Sequence, residues 1–297
     1  MYKLLLIWIK WSILGRMLKT IKAIPLFVLR SPNASFSYLE YVWHNSSPKL
    51  LKTLYFNLRL CKFKDALRCP IFIYGRTKMW KLSGSVEFMI DKIEPGMVRW
   101  GYDWGYRSNG DSVIRIEGTV KFGGKCLIVK ACNIAVFPGA VLSIGEGGEI
   151  TENVLIYCLK SVTIGNNCSI TYQTSIMDTD FHYMINTETK DIRPRAMSIL
   201  IGDNVWIGNR ASIKKGTVIP SNTTIAASYS VLTKDYSGIP PHSVLGGCPA
   251  KVIATSVSRT WRNEMQTIKR LDQWFMNNPN ENKYILTSNE CITDYLL

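Results

Sequence analysis

Histidine is scarce in this sequence, and long apolar runs are missing. Only three histidines occur among 297 residues, His44, His182 and His242. No two of the eight cysteines form a C-x-x-C pair, and no histidine-rich motif accompanies them. These shortages argue against a zinc site, which needs several such ligands. The sequence also has no run of about 18 uncharged apolar residues, which excludes an ordinary transmembrane helix.

Acidic residues are missing from the first 39 positions, although the chain contains 22 of them. Residues 1–82 hold 15 Lys or Arg and two acids, whereas residues 83–297 hold 21 basic and 20 acidic residues. Almost all of the net charge of +14 therefore lies at the N-terminal end. A basic excess confined to one end indicates a local anionic partner, and not nucleic acid bound along the whole protein.

Residues 1–50 are predicted to form a basic, helical arm. Trp8 and Trp11 stand among aliphatic side chains, and six Lys or Arg lie within residues 1–30. Tryptophan and basic residues on an apolar helix are typical of a segment that lies in the surface of an anionic membrane. The alternative is a helix that packs on its own protein or on a neighbouring subunit.

The apolar run from Leu4 to Ile9 is too short for a secretory signal, because Lys10 ends it after six residues. Without such a signal, the eight cysteines are expected to be buried free thiols in a reducing cytoplasm. We therefore predict a cytoplasmic protein that is peripheral at the inner face of the cell membrane.

An aliphatic residue recurs every six positions from Ile201 to Val231, six times in register. A small residue follows four positions later, at Val205, Ala211, Thr217 and Thr223. The same hexads appear at positions 164, 170 and 176, and a looser version at positions 116, 144 and 150. Neither an α-helix nor a simple strand has a period of six, whereas a short strand plus a turn has it. Three such hexads would close one coil of a three-sided parallel β-helix, with the aliphatic residues inside.

The predicted fold is mainly β. The β-helix is predicted over residues 112–253, after a strand-rich cap over residues 51–111. Helical spacing of apolar residues over Val257–Met276 predicts a C-terminal helix within the segment 254–297.

These hexads resemble those of the left-handed β-helix acyltransferases, the hexapeptide-repeat family. Residues 203–208, Asp-Asn-Val-Trp-Ile-Gly, resemble the G-D-x-V-W-I-G coil of that family. Residues 243–253 resemble its closing G-N-P-A-[KR]-x-I segment, with Cys248 in place of the usual Asn or Ser. The similarity is greatest to the sugar O-acetyltransferases of bacterial surface-polysaccharide clusters. It implies a left-handed coil, acetyl-CoA as co-substrate and a homotrimer whose active-site clefts lie between neighbours.

The hexad register stops after Ile176 and resumes after residue 198, so residues 177–198 are predicted to leave the coil as a loop. We call this segment the histidine loop, because it contains His182. Acyl transfer to a hydroxyl needs a base, and the ordinary histidine pKa of about 6.5 suits that role at neutral pH. The family's catalytic base is a histidine at this place, which makes His182 the candidate. Asp178 or Asp180 could orient its ring, or could equally cap turns of the loop.

The remaining site residues are implied by the resemblance. Trp206 would line the active-site cleft and, with Phe181, contact the acceptor; a surface aromatic at a subunit contact is the alternative for Trp206. The backbones of Asn209 and Ala227, one coil apart, would contact the pantetheine arm of acetyl-CoA. Thr233, Lys234 and Lys251 would lie near its pantetheine and adenosine phosphates. The segment Ser228–Val231 has one residue more than the family pattern, which leaves the contacts of Ala227 and Lys234 open.

The predicted activity is acetyl-CoA-dependent O-acetylation of a sugar hydroxyl in the synthesis of a capsule-type surface polysaccharide. The acceptor would be a sugar or a lipid-linked glycan, and neither a metal nor nucleic acid is expected. Two alternatives stay open at this point. One is N-acylation of an amino sugar, because hexads do not distinguish oxygen from nitrogen. The other is a noncatalytic β-helix scaffold.

Overall fold

A computed structural model describes residues 48–103, 110–262 and 264–296 of the chain. Most of the predicted N-terminal arm, including Trp8, Trp11 and His44, lies outside the described residues. Two helices open the described chain, α1 (Leu50–Leu60) and α2 (Phe63–Ala66). None of the helices in the described ranges is long and apolar enough to cross a membrane.

The next 24 strands form three parallel sheets that the chain visits in turn, which makes a three-sided parallel β-helix. The first face consists of nine strands: β1 (Ile71–Ile73), β4 (Val98–Tyr102), β7 (Cys126–Val129), β10 (Gly148–Ile150), β13 (Ser169–Ile170), β18 (Trp206–Ile207), β21 (Thr224–Ile225), β23 (Val244–Gly246) and β24 (Lys251–Ala254). The last of these is antiparallel to its neighbour and closes the sheet.

The second face consists of seven strands: β2 (Thr77–Leu82), β5 (Ser112–Ile116), β8 (Asn133–Val136), β11 (Leu155–Cys158), β14 (Ser175–Met177), β19 (Ser212–Lys214) and β22 (Val231–Leu232). The third face consists of six: β3 (Ser85–Phe88), β6 (Thr119–Phe122), β9 (Val141–Ile144), β12 (Ser161–Ile164), β17 (Ile199–Ile201) and β20 (Val218–Ile219). An antiparallel pair, β15 (Met184–Ile185) and β16 (Ile192–Arg193), lies outside the coil.

The predicted parallel β-helix is confirmed, but it begins about 40 residues before the expected start at residue 112. Strand β1 already pairs in parallel with β4, with Ile71 opposite Val98. The early coils escaped notice because their turns are long: Val98 pairs with Cys126, 28 residues later, whereas Trp206 pairs with Thr224 after 18. The hand of the coil, left-handed in the family that the sequence resembles, stays a prediction.

The hexads place their aliphatic residues inside the coil. Ile201, Ile207, Ile213, Ile219 and Ile225 are all buried, as are the small residues Val205, Ala211, Thr217 and Thr223 beside the corners. The sixth predicted inward position, Val231, is wrong, because Leu232 takes it. The turn before β22 contains the extra residue, so Ile213 pairs with Leu232 after 19 positions. Ser228 and Tyr229 absorb it with positive φ values of 69° each.

Asparagines form the corner between the third and first faces. Asn167, Asn204 and Asn222 have φ between 52° and 58°, a left-handed conformation that asparagine tolerates better than most residues. Their side chains also stack: Asn204 accepts a hydrogen bond from Asn167 at 3.3 Å and donates one to Asn222 at 3.0 Å. This ladder fixes the corner in successive coils.

The C-terminal helix α3 (Glu264–Asn277) and a short 3-10 helix (Ile292–Asp294) end the described chain. The helix was expected to start at Val257, seven residues earlier. The intervening segment instead lies in extended form against the first face, where Arg259 packs over Trp206. This contact competes with helix formation.

Candidate active site

The histidine loop leaves the coil at the corner between the second and third faces, after β14 and before β17. It folds as a hairpin in which Met184 pairs with Arg193 and Ile185 with Ile192. Its base is tied by backbone hydrogen bonds from Asp180 to Arg195, 2.9 Å, and from Met197 to Asp178, 2.9 Å. The predicted excursion from the coil is therefore a built element with paired strands.

His182 lies in this hairpin, two residues before β15, and its side chain is exposed. The preceding Phe181 has a φ of 60°, which is unfavourable for an aromatic residue without a local reason. The Phe181 ring packs edge-on against Phe137 at 5.6 Å and Tyr157 at 5.9 Å, on the second face. Aromatic packing thus holds a strained backbone next to the histidine, and such strain is concentrated at functional sites. Because the ring is only partly buried, Phe181 still has surface for the predicted acceptor contact.

Asp178 has a structural partner set. It is buried, and its two carboxylate oxygens accept hydrogen bonds of 2.7 Å from the backbone amides of Leu159 and Lys160. These bonds join the start of the histidine loop to the preceding coil. Burial, with a contribution from the Asp178 carboxylate, raises the pKa of the neighbouring Cys158 thiol. The arrangement supports the interpretation in which Asp178 caps a turn.

Asp180 pairs with a lysine that the sequence analysis did not single out. Lys215 lies in the corner that follows β19, and its Nζ is 2.6 Å from Oδ2 of Asp180. The same ammonium donates a hydrogen bond of 2.7 Å to the backbone oxygen of Pro194. Lys215 therefore connects both strands of the hairpin base. A lysine beside the point where the hexads resume was the available signal.

Trp206 is distant in the fold from the histidine loop. It lies on β18 of the first face, whereas the loop leaves between the second and third faces. The guanidinium carbon of Arg259 lies 5.3 Å from the centre of the Trp206 ring and 4.6 Å from that of Trp261. Arg259 also forms two hydrogen bonds of 2.7 Å with Glu264. The C-terminal segment thus fixes the indole, which stays partly exposed.

The predicted pantetheine residues are stacked as expected. Asn209 and Ala227 follow the paired strands β18 and β21, one coil apart, and the backbone oxygen of Asn209 accepts a bond of 2.8 Å from Ser228. Gly208 makes this close approach feasible, because a Cβ there would lie 2.6 Å from the nitrogen of Ala227. Both residues are exposed at the corner between the first and second faces.

The predicted phosphate-binding residues lie elsewhere on the coil. Thr233 and Lys234 follow β22 at the corner between the second and third faces, and Lys251 begins β24 on the first face. All three are exposed, and the Lys234 ammonium lies 5.5 Å from the Tyr236 ring. One chain therefore spreads the predicted site residues over different sides of the β-helix. Within the described ranges no cluster of His, Cys, Asp and Glu suits a metal ion.

Known proteins with similar sequences are acetyltransferases. The chain is 26% identical over 148 residues to the putative lipopolysaccharide biosynthesis O-acetyl transferase WbbJ of Escherichia coli K12, covering 47% of this chain and 74% of that protein. It is 35% identical over 115 residues to the galactoside O-acetyltransferase of the same organism, covering 39% of this chain and 54% of that protein. The chain thus spans about three quarters of the first relative and about half of the second. No family model matches the chain.

A similar solved structure is that of a hexapeptide-repeat acetyltransferase, VCA0836 of Vibrio cholerae. Its TM-score is 0.30 at 22% identity, and the match covers 49% of this chain and 68% of that one. That structure contains acetyl coenzyme A, the co-substrate predicted here. The sequence relatives confirm the predicted resemblance to hexapeptide-repeat acetyltransferases and the predicted enzyme class, acyltransferase.

Proposed function

We propose that this protein transfers the acetyl group of acetyl-CoA to a hydroxyl of a sugar used in surface-polysaccharide synthesis. The observation that carries the proposal is the built hairpin that presents an exposed His182 beside the strained Phe181. A ring in that position is accessible to an acceptor hydroxyl. The similarity to WbbJ and to galactoside O-acetyltransferase supports oxygen as the accepting atom.

In the proposed reaction a ring nitrogen of His182 takes the proton of the sugar hydroxyl as the oxygen attacks the thioester carbonyl carbon. A C–O bond forms, and the tetrahedral intermediate then breaks its C–S bond. The leaving thiolate receives the proton from the imidazolium, so the products are an acetyl ester and free coenzyme A. Asp180 is the better candidate to assist the ring, because Asp178 already accepts two backbone hydrogen bonds.

The proposed donor site runs along the corner that contains Asn209 and Ala227. Backbone groups of these residues would hold the pantetheine arm, and Thr233, Lys234 and Lys251 would meet the phosphates. Since these residues and Trp206 lie on different sides of one chain, we propose a homotrimer in which a neighbour brings Trp206 to the cleft of His182. The separation of the two elements in the single coil supports this arrangement.

Mixed assemblies test the shared cleft. H182A and W206A proteins are each expected to be weak alone, because each lacks one contributor. When they are unfolded together and refolded as mixed trimers, about a quarter of the clefts would contain both intact residues if neighbours share a site. Recovered activity of that order supports a shared cleft. A mixture no more active than its components would contradict it.

The activity itself is tested by release of free thiol from acetyl-CoA with a panel of sugars and lipid-linked glycans. An O-acetyl product loses its acetyl group in mild alkali, whereas an N-acetyl product retains it, so the same assay separates the two acyl acceptors. Thiol release with no acceptor in the panel would favour a noncatalytic scaffold only if acetyl-CoA also fails to bind.

We also propose that residues 1–30 hold the enzyme reversibly at the anionic inner face of the cell membrane. The six basic residues and two tryptophans of that segment support the proposal. Deletion of residues 1–30 is expected to weaken sedimentation with anionic liposomes and to spare activity on a soluble acceptor. Equal sedimentation with neutral and anionic liposomes would contradict the electrostatic part of this proposal.

A further inference from the structure

Helix α1 covers the N-terminal opening of the β-helix. Its inner side contributes Phe56 and Leu60 to the buried core, and the Phe56 ring lies 5.8 Å from that of Trp100 on the first face. Asn57 extends the attachment, because its side chain both donates to and accepts from the backbone of Ile71. The opposite side of α1 consequently faces away from the coil.

That outer side is apolar. Leu51, Tyr55 and Leu58 are spaced by four and three positions, which places them in one stripe along the helix. Their exposed fractions are 81%, 55% and 54%, and Phe63 at the start of α2 is 72% exposed. Four large apolar side chains in contact with solvent at one end of a protein indicate an interaction surface.

Basic residues surround this stripe. Residues 48–68 contain six Lys or Arg and a single acid, Asp65. Arg59, Lys62, Lys64 and Arg68 are exposed, and none of them takes part in the ion pairs seen within the described ranges. The positive charge of the helix cap is therefore not neutralised by the described part of the coil.

We propose that this helix-cap surface, formed by Leu51, Tyr55, Leu58 and Phe63 with Arg59, Lys62 and Lys64, docks on an anionic lipid bilayer. Apolar side chains would enter the headgroup boundary while the basic residues meet lipid phosphates. Nucleic acid would neutralise the charges but would leave the aliphatic side chains in water, so it fits the surface less well. The inference does not depend on acetyl transfer, and its residues are separate from residues 1–30.

Docking through the cap would also set the height of the candidate active site. The histidine loop leaves the coil after β14, whose coil is the fifth, because β13 follows β1, β4, β7 and β10 on the first face. Neighbouring coils are separated by about 4.8 Å, so the loop would stand about 20 Å above the cap. A glycan of several sugars attached to a membrane lipid could reach that height.

The test uses the full chain and vesicles of neutral phosphatidylcholine with or without anionic phosphatidylglycerol. R59Q/K62Q/K64Q is expected to lower the partition coefficient on anionic vesicles at least about tenfold. A matched control, R262Q/K269Q/K283Q, removes the same charge from exposed positions near the C terminus and is expected to change it less than twofold. L58S/F63S is expected to weaken binding as well.

A second measurement uses the unmodified protein. Amine acetylation should label Lys62 and Lys64 less when anionic vesicles are present, whereas Lys269 and Lys283 should be labelled equally with and without them. Unchanged binding of R59Q/K62Q/K64Q together with unprotected Lys62 and Lys64 would overturn the proposal, as would binding of duplex DNA in place of vesicles. Thiol release from acetyl-CoA by the same variants is expected to equal that of the wild type, which separates this outcome from a failure of the proposed activity.

Discussion

The ammonium of Lys215 lies 2.6 Å from Oδ2 of Asp180, across the base of the hairpin that contains His182. The same nitrogen donates to the backbone oxygen of Pro194 on the returning strand. The lysine side chain is mostly buried, so the pair is better shielded from water than a fully exposed one. One lysine of the rigid coil thereby sets the position of both strands of a loop that otherwise projects into solvent.

Lys215→Met is expected to lower kcat about 10- to 100-fold, because small displacements of a catalytic group carry costs of that order. The KM for acetyl-CoA should stay within twofold, since the proposed donor residues lie on other corners. Lys214→Met is the matched control, as it removes a charge from the adjacent position without touching the hairpin. Steady-state kinetics of both variants check the prediction. If Lys215→Met and Lys214→Met behave alike, Lys215 does not position the loop.

Asp178→Asn is expected to destabilise the protein, because one of the two oxygens that accept backbone hydrogen bonds becomes an NH2 donor facing an amide. Hydrogen bonds to a charged group contribute about 1.5–3 kcal/mol each, so we expect a loss of about 2–3 kcal/mol in the free energy of unfolding.

Urea denaturation measures that loss, and Asp180→Asn serves as its control, since the Asp180 side chain is partly exposed and should change the unfolding free energy by less than about 1 kcal/mol. The reverse order of the two effects would show that the carboxylates have been assigned the wrong roles.

The cysteines give a prediction about reactivity and pH. Six of the eight are buried, and only Cys248 and Cys291 are exposed, so the expectation of buried free thiols is confirmed for six and wrong for two. Burial raises the pKa of Cys61 to about 12 and that of Cys69 to about 11, which keeps both protonated and unreactive at pH 8. A disulfide reagent at pH 8 should therefore titrate about two thiols in the native protein and eight after denaturation.

The same shifts predict alkaline destabilisation. Thiols titrate near pH 9 in the unfolded chain, so between pH 9 and about 11 the folded state binds more protons than the unfolded state. The free energy of unfolding must then fall as the pH rises through this window. Denaturation midpoints measured at pH 8 and pH 10 check the sign, and an increase at pH 10 would contradict it.

The sequence predicted the later coils well because their turns have constant length. Ile201 to Ile225 keep the 18-residue coil, and a period of six then identifies the inward positions. The earlier coils could not be found in the same way, since Cys126 and Gly148 pair across 22 residues. Turn length is set by local backbone conformation, as at Ser228 and Tyr229, and hydropathy does not report it.

For the candidate site, the interruption of the hexads located the loop and His182. The partners of Asp178 and Asp180 were not predictable, because Leu159, Lys160 and Lys215 come from other coils that the fold brings to the same corner. The contact of Arg259 with Trp206 has the same origin, since a C-terminal segment returns over the first face. Spacing along the chain carries no information on such contacts.

The most direct measurement of the central claim is the turnover of His182→Ala with acetyl-CoA and an accepted sugar. If His182 is the general base, kcat should fall about 10²- to 10⁴-fold, while acetyl-CoA affinity and the denaturation midpoint stay close to those of the wild type. His242→Ala, outside the histidine loop, should be mild by comparison. A His182→Ala protein that retains more than about a third of wild-type turnover would contradict the account, because general-base catalysis contributes far more than that.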